Sequence, residues 1–258
     1  MRTGARPLPA PVLRGLHEIT PRLRGAVVTA GTFDGVHAGH RVLLAGAREH
    51  ADRLGAPLVA ITWDRHPFAT VRPPAVPPLL CSRTRRDELL LAAGADAVLE
   101  LRFDRAFAAL PPERFATEVL GDVLGAAGLH LGGDWRFGRG ARGDAALLRR
   151  LGFAVETVGR ATFGGEPGSS SAARDAVLAG DLERATRLLG RPVELEGRAG
   201  SNGDLTLDGA LARPPAGGYE GTWDATPCHV VVRADGHASC LPAPPRGPVR
   251  VALTRRVG

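Results

Sequence analysis

Hydrophobic residues along this chain fall into two textures. From Ala26 to about Val158, short uninterrupted apolar runs alternate with stretches of helical spacing. Ala26–Gly31 (AVVTAG) predicts a buried strand, β-branched and uncharged, ending in a glycine turn. After it, Leu43, Leu44, Ala47, Ala51 and Leu54 recur at helical spacing, and Gly55 and Pro57 mark where that helix stops. Pro57–Trp63, Ala97–Leu101, Leu129–Gly132 and Phe153–Val158 predict four further strands. Helices are predicted between them at Thr84–Gly94, Pro112–Gly128 and Asp144–Leu151. Two short helices follow, Ser171–Leu178 and Leu182–Leu189. Strands alternating with helices of this length imply β-α crossovers and a parallel sheet covered on both faces. Ligands of such sheets sit outside the carboxyl ends of the strands. The loops after Ala30, Trp63 and Gly132 are therefore the places where chemistry is expected.

Beyond Arg191-Pro192 the pattern changes. Val193–Gly200, Asp204–Gly209, Cys228–Gly236 and Pro248–Thr254 read as short strands separated by Gly, Pro and Asn-Gly turns. The expectation is an α/β domain over residues 1–192 and a small all-β domain over 193–258.

Composition narrows the function classes. With 44% hydrophobic and 23% charged residues the chain can bury a sizeable core, which excludes disorder as a description of the whole. No apolar run approaches the ~18–20 residues of a membrane span, and the N-terminus lacks the continuous apolar core of a secretory leader. Cys81, Cys228 and Cys240 are odd in number and widely spaced, neither a disulfide framework nor a zinc pattern. A reducing cytoplasm is the expected location. The net charge of +6 invites a nucleic-acid hypothesis, but all 33 basic residues are Arg, dispersed among acidic neighbours. Aromatic residues, at 5%, are too few and scattered for a base-stacking platform. Nucleic acid and membrane are thus not expected partners, and an oligomer is left open.

The most informative stretch is Gly31-Thr32-Phe33-Asp34-Gly35-Val36-His37-Ala38-Gly39-His40, between a predicted strand and a predicted helix. Glycines at 31, 35 and 39 allow tight turning and close approach to a ligand. The helix starting near Gly39 or His40 aims free N–H groups and its positive dipole end at the crevice, a setting for phosphate. His37 and His40 are three apart, on one face of the first turn. Paired imidazoles can donate to phosphate oxygens without two fixed charges, stabilising a pentacoordinate phosphorus electrostatically. A zinc reading of the pair lacks a third ligand at suitable spacing, and no metal ligand is assigned. Gly168-Ser169-Ser170-Ser171-Ala172-Ala173-Arg174 offers a second helix start, rich in hydroxyls, with Arg174 one turn on and able to fork onto phosphate. Trp63-Asp64-Arg65-His66-Pro67 and Gly133-Asp134-Trp135-Arg136-Phe137-Gly138 follow two strands and place aromatic and polar groups where a planar heterocycle could stack.

These four segments, in this order, resemble the nucleotidylyltransferase half of the prokaryotic bifunctional riboflavin kinase/FAD synthetases. That family carries G-x-F-D-G-x-H-x-G-H, met in full by Gly31 to His40. It also carries a P-H-P loop (here Arg65-His66-Pro67), a D/N-F-x-F-G loop (here Asp134 to Gly138) and an S-S-T/S-x-x-R helix start (Ser169 to Arg174). The resemblance covers roughly residues 20–192. It implies a Rossmann-like nucleotidylyltransferase fold, with the C-terminal strands resembling an eroded riboflavin kinase barrel. It implies attack of an FMN phosphate on the α-phosphorus of ATP with Mg2+, giving FAD and pyrophosphate.

By the same resemblance His37, His40, Ser170 and Arg174 are catalytic. Gly31, Thr32, Phe33, Asp34, Gly35, Gly39, Ser169 and Ser171 bind the nucleotide. Asp64, His66, Pro67, Asp134, Trp135, Arg136 and Phe137 border the acceptor. Trp135 and Arg65 depart from the family pattern, which puts the acceptor in doubt. The kinase's Pro-Thr-Ala-Asn is missing after its Gly-rich loop, so kinase activity is not expected. Alternative readings are an adenylyl- or cytidylyltransferase (ATP or CTP as donor) acting on another phosphorylated small molecule, and an inactive flavin- or nucleotide-binding regulator.

Overall fold

The computed structural model describes residues 11–257. The described chain forms two compact units. One takes the chain as far as Phe33, then His40–Val76 and Arg83–Arg160. The other takes Asp34–Gly39, Pro77–Ser82 and the described residues from Ala161 onward.

The first unit is built on a six-stranded, all-parallel sheet in the order β1-β4-β3-β2-β5-β6. In chain order β1 is Val12–Leu13, β2 is Val27–Ala30, α1 is Ala38–Leu54 and β3 is Leu58–Trp63. Then follow α2 (Phe68–Val71), α3 (Arg83–Ala92), β4 (Ala97–Leu101), α4 (Arg105–Ala108) and α5 (Pro112–Arg114). β5 (Gly128–Gly132), α6 (Ala145–Arg150) and β6 (Val155–Val158) complete it. Every residue of β2, β3 and β4 is buried, which is why these strands read as unbroken apolar runs rather than as alternation. Val27 and Leu58 pack under Ala47 and Ala51 of α1 on one face. Val28, Val59, Ile61, Leu99, Phe115 and Leu129 share the larger core.

The predicted strands and helices of this unit appear, with informative differences. β1 adds an edge strand, Val12 pairing with Val98 and Leu13 with Leu99, too short and too close to prolines to show a pattern. The helix expected to run to Gly128 instead continues from α5 as a π-helical segment, Phe115–Val123, and the chain leaves it at Gly125 with φ +53°.

The second unit has a short hairpin, β7 (Thr162–Phe163) and β8 (Glu166–Pro167), then α7 (Ser170–Ala179) and α8 (Leu182–Leu189). A closed barrel follows, made of β9 (Val193–Ala199), β10 (Asp204–Leu207), β11 (Gly217–Trp223), β12 (Thr226–Val232), β13 (His237–Leu241) and β14 (Gly247–Val257). All its pairings are antiparallel, and closure leaves no edge strand exposed. Leu195, Leu205, Tyr219, Val230, Cys240 and Leu253 of the barrel form one core with the apolar faces of α7 and α8. Tyr219 settles its hydroxyl by donating to the Pro215 carbonyl at 2.6 Å. β11 escaped the sequence reading because three of its seven residues are glycine. At Gly221 a Cβ would lie 2.4 Å from the Ala252 carbonyl oxygen, so only glycine lets β14 approach, and the register shifts there by a bulge. No disulfide joins the three cysteines, all of which are buried. No helix among the described residues is long and apolar enough to cross a membrane.

Candidate active site

β2 ends at Ala30, and the Gly31 N–H still donates to the Ile61 carbonyl, 3.0 Å, holding the loop's start against β3. The backbone then turns through conformations that side chains rarely adopt: Phe33 at φ +51°, Gly35 at +75° and Val36 at +38°. A β-branched residue at positive φ is strained, and such strain persists where the surroundings over-determine it, commonly at ligand clamps. Here the determinants are visible. Phe33 is fully buried, with His40 edge-on to its ring at 5.1 Å. At Gly35 a Cβ would meet the Leu80 Cβ at 2.7 Å.

Asp34 is the structural centre of the loop. Its Oδ1 accepts from the Leu80 N–H at 2.8 Å and its Oδ2 from Arg174 Nη2 at 2.9 Å. Its backbone carbonyl accepts from the Ser170 hydroxyl at 3.1 Å. Arg174 spends its Nε on the Pro78 carbonyl, 2.7 Å away. Arg191 reaches the Gly35 carbonyl at 2.6 Å. At Gly39 a Cβ would come within 2.8 Å of the Gly168 carbonyl oxygen, so that glycine lets the two phosphate-type segments pack backbone to backbone. The structure therefore brings together Asp34, Gly35, Gly39, Ser170 and Arg174. It gives Asp34 and Arg174 a bond to each other that their spacing in the sequence does not reveal. Of the remaining serines, Ser169 caps α7 by accepting from the Ala172 N–H at 3.2 Å, and Ser171 is exposed on its first turn. The amides of that turn have no acceptor within the helix.

His37 lies at the end of the loop and is 5% exposed. Burial first, and the nearby Arg191 charge second, push its pKa down to about 4. At neutral pH it is a neutral imidazole that can donate one hydrogen bond without adding a charge. The unfolded chain binds this proton below about pH 6.5, whereas the folded protein resists it until about pH 4. Stability from this group is thus complete above 6.5 and is lost as pH falls toward 4, by about 3 kcal/mol in all. Replacing His37 with Asn should shrink the drop in unfolding free energy between pH 7 and 4.5 by about 2–3 kcal/mol, measurable by urea denaturation at both values.

Within the first unit, a cavity of about 540 Å³ opens beside the carboxyl ends of the strands. Its walls are aromatic: Trp63 stands 5.6 Å from Phe103 and 5.5 Å from Phe107, and Trp135 stacks on Phe137 at 4.8 Å and 16°. Pro67, Trp135, Arg136 and Phe137, expected at the acceptor, line it, and so does Thr32, expected at the nucleotide. Asp64, His66 and Asp134 are placed outside its wall. Asp64 Oδ1 accepts from the Phe103 N–H at 2.8 Å and its other oxygen faces Arg65. Burial opposes its charge, but those two partners hold its carboxyl below the usual range. His66 Nδ1 accepts from the Phe68 N–H at 3.2 Å, closing the turn into α2. Asp134 pairs with Arg160 at the surface, 2.8 Å from its Nε. Phe68, Arg72, Phe103, Phe107 and Phe115 are cavity residues that the sequence reading missed. The signal available for two of them was Phe103-x-x-x-Phe107 immediately after β4.

The FAD synthetase family model matches residues 19–172 of this chain. The chain belongs to the FAD synthetase family. The expected relationship therefore holds over the α/β half. This FAD synthetase-family chain is 37% identical over 191 residues to the bifunctional riboflavin kinase/FMN adenylyltransferase of Pseudomonas fluorescens, covering 72% of the chain and 61% of that protein. It is 37% identical over 195 residues to that of Escherichia coli K12, with the same coverages. It spans about three fifths of the length of these curated relatives. A putative enzyme of the same description from Geobacillus thermodenitrificans is 35% identical over 172 residues, 66% of this chain and 93% of that one. Among solved structures, one described as a macrolide-efflux protein from Streptococcus pneumoniae superposes with a TM-score of 0.81 at 24% identity. It covers 95% of this chain and 90% of its own, a likeness of fold.

Proposed function

We propose that this FAD synthetase-family chain is an FMN adenylyltransferase. The observation that carries the reading is one segment with two faces. Thr32 lines the aromatic cavity, while the next residues of the same segment, Asp34 to Gly39, form the strained glycine loop that opens helix α1. A planar tricyclic ring suits walls of Trp135, Phe137 and Trp63, with Arg136 and Arg72 supplying charge toward an acceptor's phosphate. The first-turn amides of α7 and those of Ala38 and Gly39, with His37, suit the triphosphate, and His40 follows directly along the chain.

In the reaction an oxygen of the FMN phosphate forms a bond to the α-phosphorus of ATP. The bond from that phosphorus to the β-bridging oxygen breaks, and the electron pair leaves with pyrophosphate. Both reactants arrive as phosphates, so positioning and charge stabilisation suffice and no protein nucleophile is required. Neutral His37 serves as a hydrogen-bond donor whose value rises as negative charge builds on the phosphoryl oxygens. Arg174 and Ser170 act in this reading by fixing Asp34 and so the loop, and Ser169 and Ser171 shape the α7 start. Mg2+ is assigned to the nucleotide's own phosphates. The loop's one carboxylate, Asp34, already accepts from Leu80 and Arg174.

Riboflavin kinase activity is proposed to be absent. The barrel's β9–β10 connection is only Gly200-Ser201-Asn202-Gly203, with no Pro-Thr-Ala-Asn to hold a second nucleotide. The expected result with purified protein, Mg2+, ATP and FMN is stoichiometric FAD and pyrophosphate, with no FAD when riboflavin replaces FMN. Pyrophosphate released only with a non-flavin acceptor, or only from CTP, would assign the chain to a sibling transferase. Tight flavin binding with no turnover would assign it to the binding proteins.

A further inference from the structure

His50 of α1, His130 of β5 and Glu156 of β6 converge at a point remote from the glycine loop. His50 stands ten residues beyond His40 on the same helix, about 15 Å along its axis. An imidazole nitrogen of each histidine and a Glu156 carboxylate oxygen all lie within 4.8 Å of one another. The His50 Nδ1 is 3.6 Å from Glu156 Oε2, and the His130 Nδ1 is 3.4 Å from the same oxygen. Both histidines are more than nine-tenths buried, and both Nδ1 atoms lack a hydrogen-bond partner. Buried polar atoms are nearly always satisfied, so two adjacent orphaned nitrogens call for an explanation.

The surroundings are shaped for these rings. A Cβ at Gly46 would fall 2.6 Å from the His130 Nε2, and one at Gly128 would fall 2.7 Å from the His50 ring. Neither position tolerates a side chain while the imidazoles stay where they are. Arg53 donates to Glu156 Oε1 at 2.7 Å, which turns Oε2 toward the two histidines. Burial lowers the pKa of His130, while the Glu156 charge and a side-chain contact with that carboxylate oppose the shift.

We propose that His50, His130 and Glu156 form a site for a divalent transition metal of the zinc type, separate from the magnesium that accompanies nucleotide. Two imidazoles and one carboxylate are a donor set that zinc prefers and that magnesium, which seeks oxygen ligands, does not. Ligands at ~2.0–2.1 Å around a tetrahedral zinc are about 3.4 Å apart, close to the two observed nitrogen–oxygen separations. Glu156, with its side chain 46% exposed, leaves an entry path and a fourth position for water. The ion would satisfy both orphaned nitrogens and join α1, β5 and β6 at one point.

The test is equilibrium competition for Zn2+ between the full-length protein and a chromogenic chelator, paired with the absorption spectrum of the Co2+-loaded protein. Wild type should bind one equivalent of Zn2+. Co2+ should give tetrahedral ligand-field bands without sulfur charge-transfer absorption. His130→Ala should weaken Zn2+ binding by more than the ~10–100-fold that loss of a mere supporting hydrogen bond brings. Glu156→Gln, a half-exposed change that spares the core, should do the same with an unaltered circular dichroism spectrum. The measurement is independent of adenylyl transfer, so it stands whatever the acceptor proves to be. Absence of stoichiometric binding, equal affinity in the folded Glu156→Gln variant, or a thiolate band pointing to cysteine ligation would each overturn the site.

Discussion

Replacing His37 and His40 together by alanine should lower the rate of adenylyl transfer by ~100-fold or more, while the aromatic cavity keeps its expected affinity for FMN. The magnitude follows from the charge that develops on the transferring phosphoryl group, where each preorganised donor is worth ~100–1,000-fold in other oxyanion-type sites. His37 meets the requirement for such a donor because it is buried and neutral rather than charged at working pH. His40 is set by its edge-on contact with Phe33, itself fixed at positive φ. Steady-state pyrophosphate release measures the rate, and flavin fluorescence quenching measures FMN affinity. His37→Asn and His40→Asn, which keep volume and a donor, should recover part of the loss. An undiminished turnover in the double alanine variant would remove the paired imidazoles from the mechanism.

Arg174→Ala should cost about 3–5 kcal/mol of folding free energy, because it strands a buried carboxylate. The Arg174 side chain is 11% exposed and that of Asp34 6%, so water cannot replace the lost partner. The Leu80 N–H would be left as the carboxylate's remaining donor of the two side-chain contacts. Asp34→Asn in the Arg174→Ala background should return a good part of the stability, since it removes the stranded charge rather than the hydrogen bond to Leu80. Urea unfolding of the single and double variants reads both effects. A loss below 1 kcal/mol for Arg174→Ala, or no recovery in the double variant, would show that the pair is solvated and loosely held.

The parallel sheet was legible because burial on both faces demands continuous apolar runs such as Leu58–Trp63, bracketed by Gly55, Pro57 and a polar loop. The barrel was legible only in part. Strands β9, β10, β12 and β14 show their alternation, whereas Gly217–Trp223 hides its strand behind glycines that the barrel needs for close backbone approach. The glycine loop could be read since its chemistry is local, five polar and glycine positions between one strand and one helix. What the sequence concealed is the coupling of Asp34 to Arg174, 140 residues apart. That bond turned a residue read as a phosphate ligand into one that also holds the loop's shape. The cavity was half read for a similar reason. Its wall draws Phe103 from the loop after β4 and Phe107 from the short helix α4, and a phenylalanine in so short a segment carries no sign of whether it faces solvent, core or ligand.

The short segment Pro77–Ser82 has a consequence for the order in which the protein can be completed. Leu80 holds Asp34, while its neighbour Leu79 is stitched to Ala210 and Ala212 by backbone hydrogen bonds of 2.9 and 2.7 Å, and Ser82 is held by Glu196 at 2.9 Å. A motif written within the first forty residues thus waits for the ribosome to deliver the chain past residue 212 before its scaffold can close. Such long-range closure slows folding. The C-terminal barrel is thus the mould in which the glycine loop sets, and a chain cut after residue 192 should emerge with that loop unset.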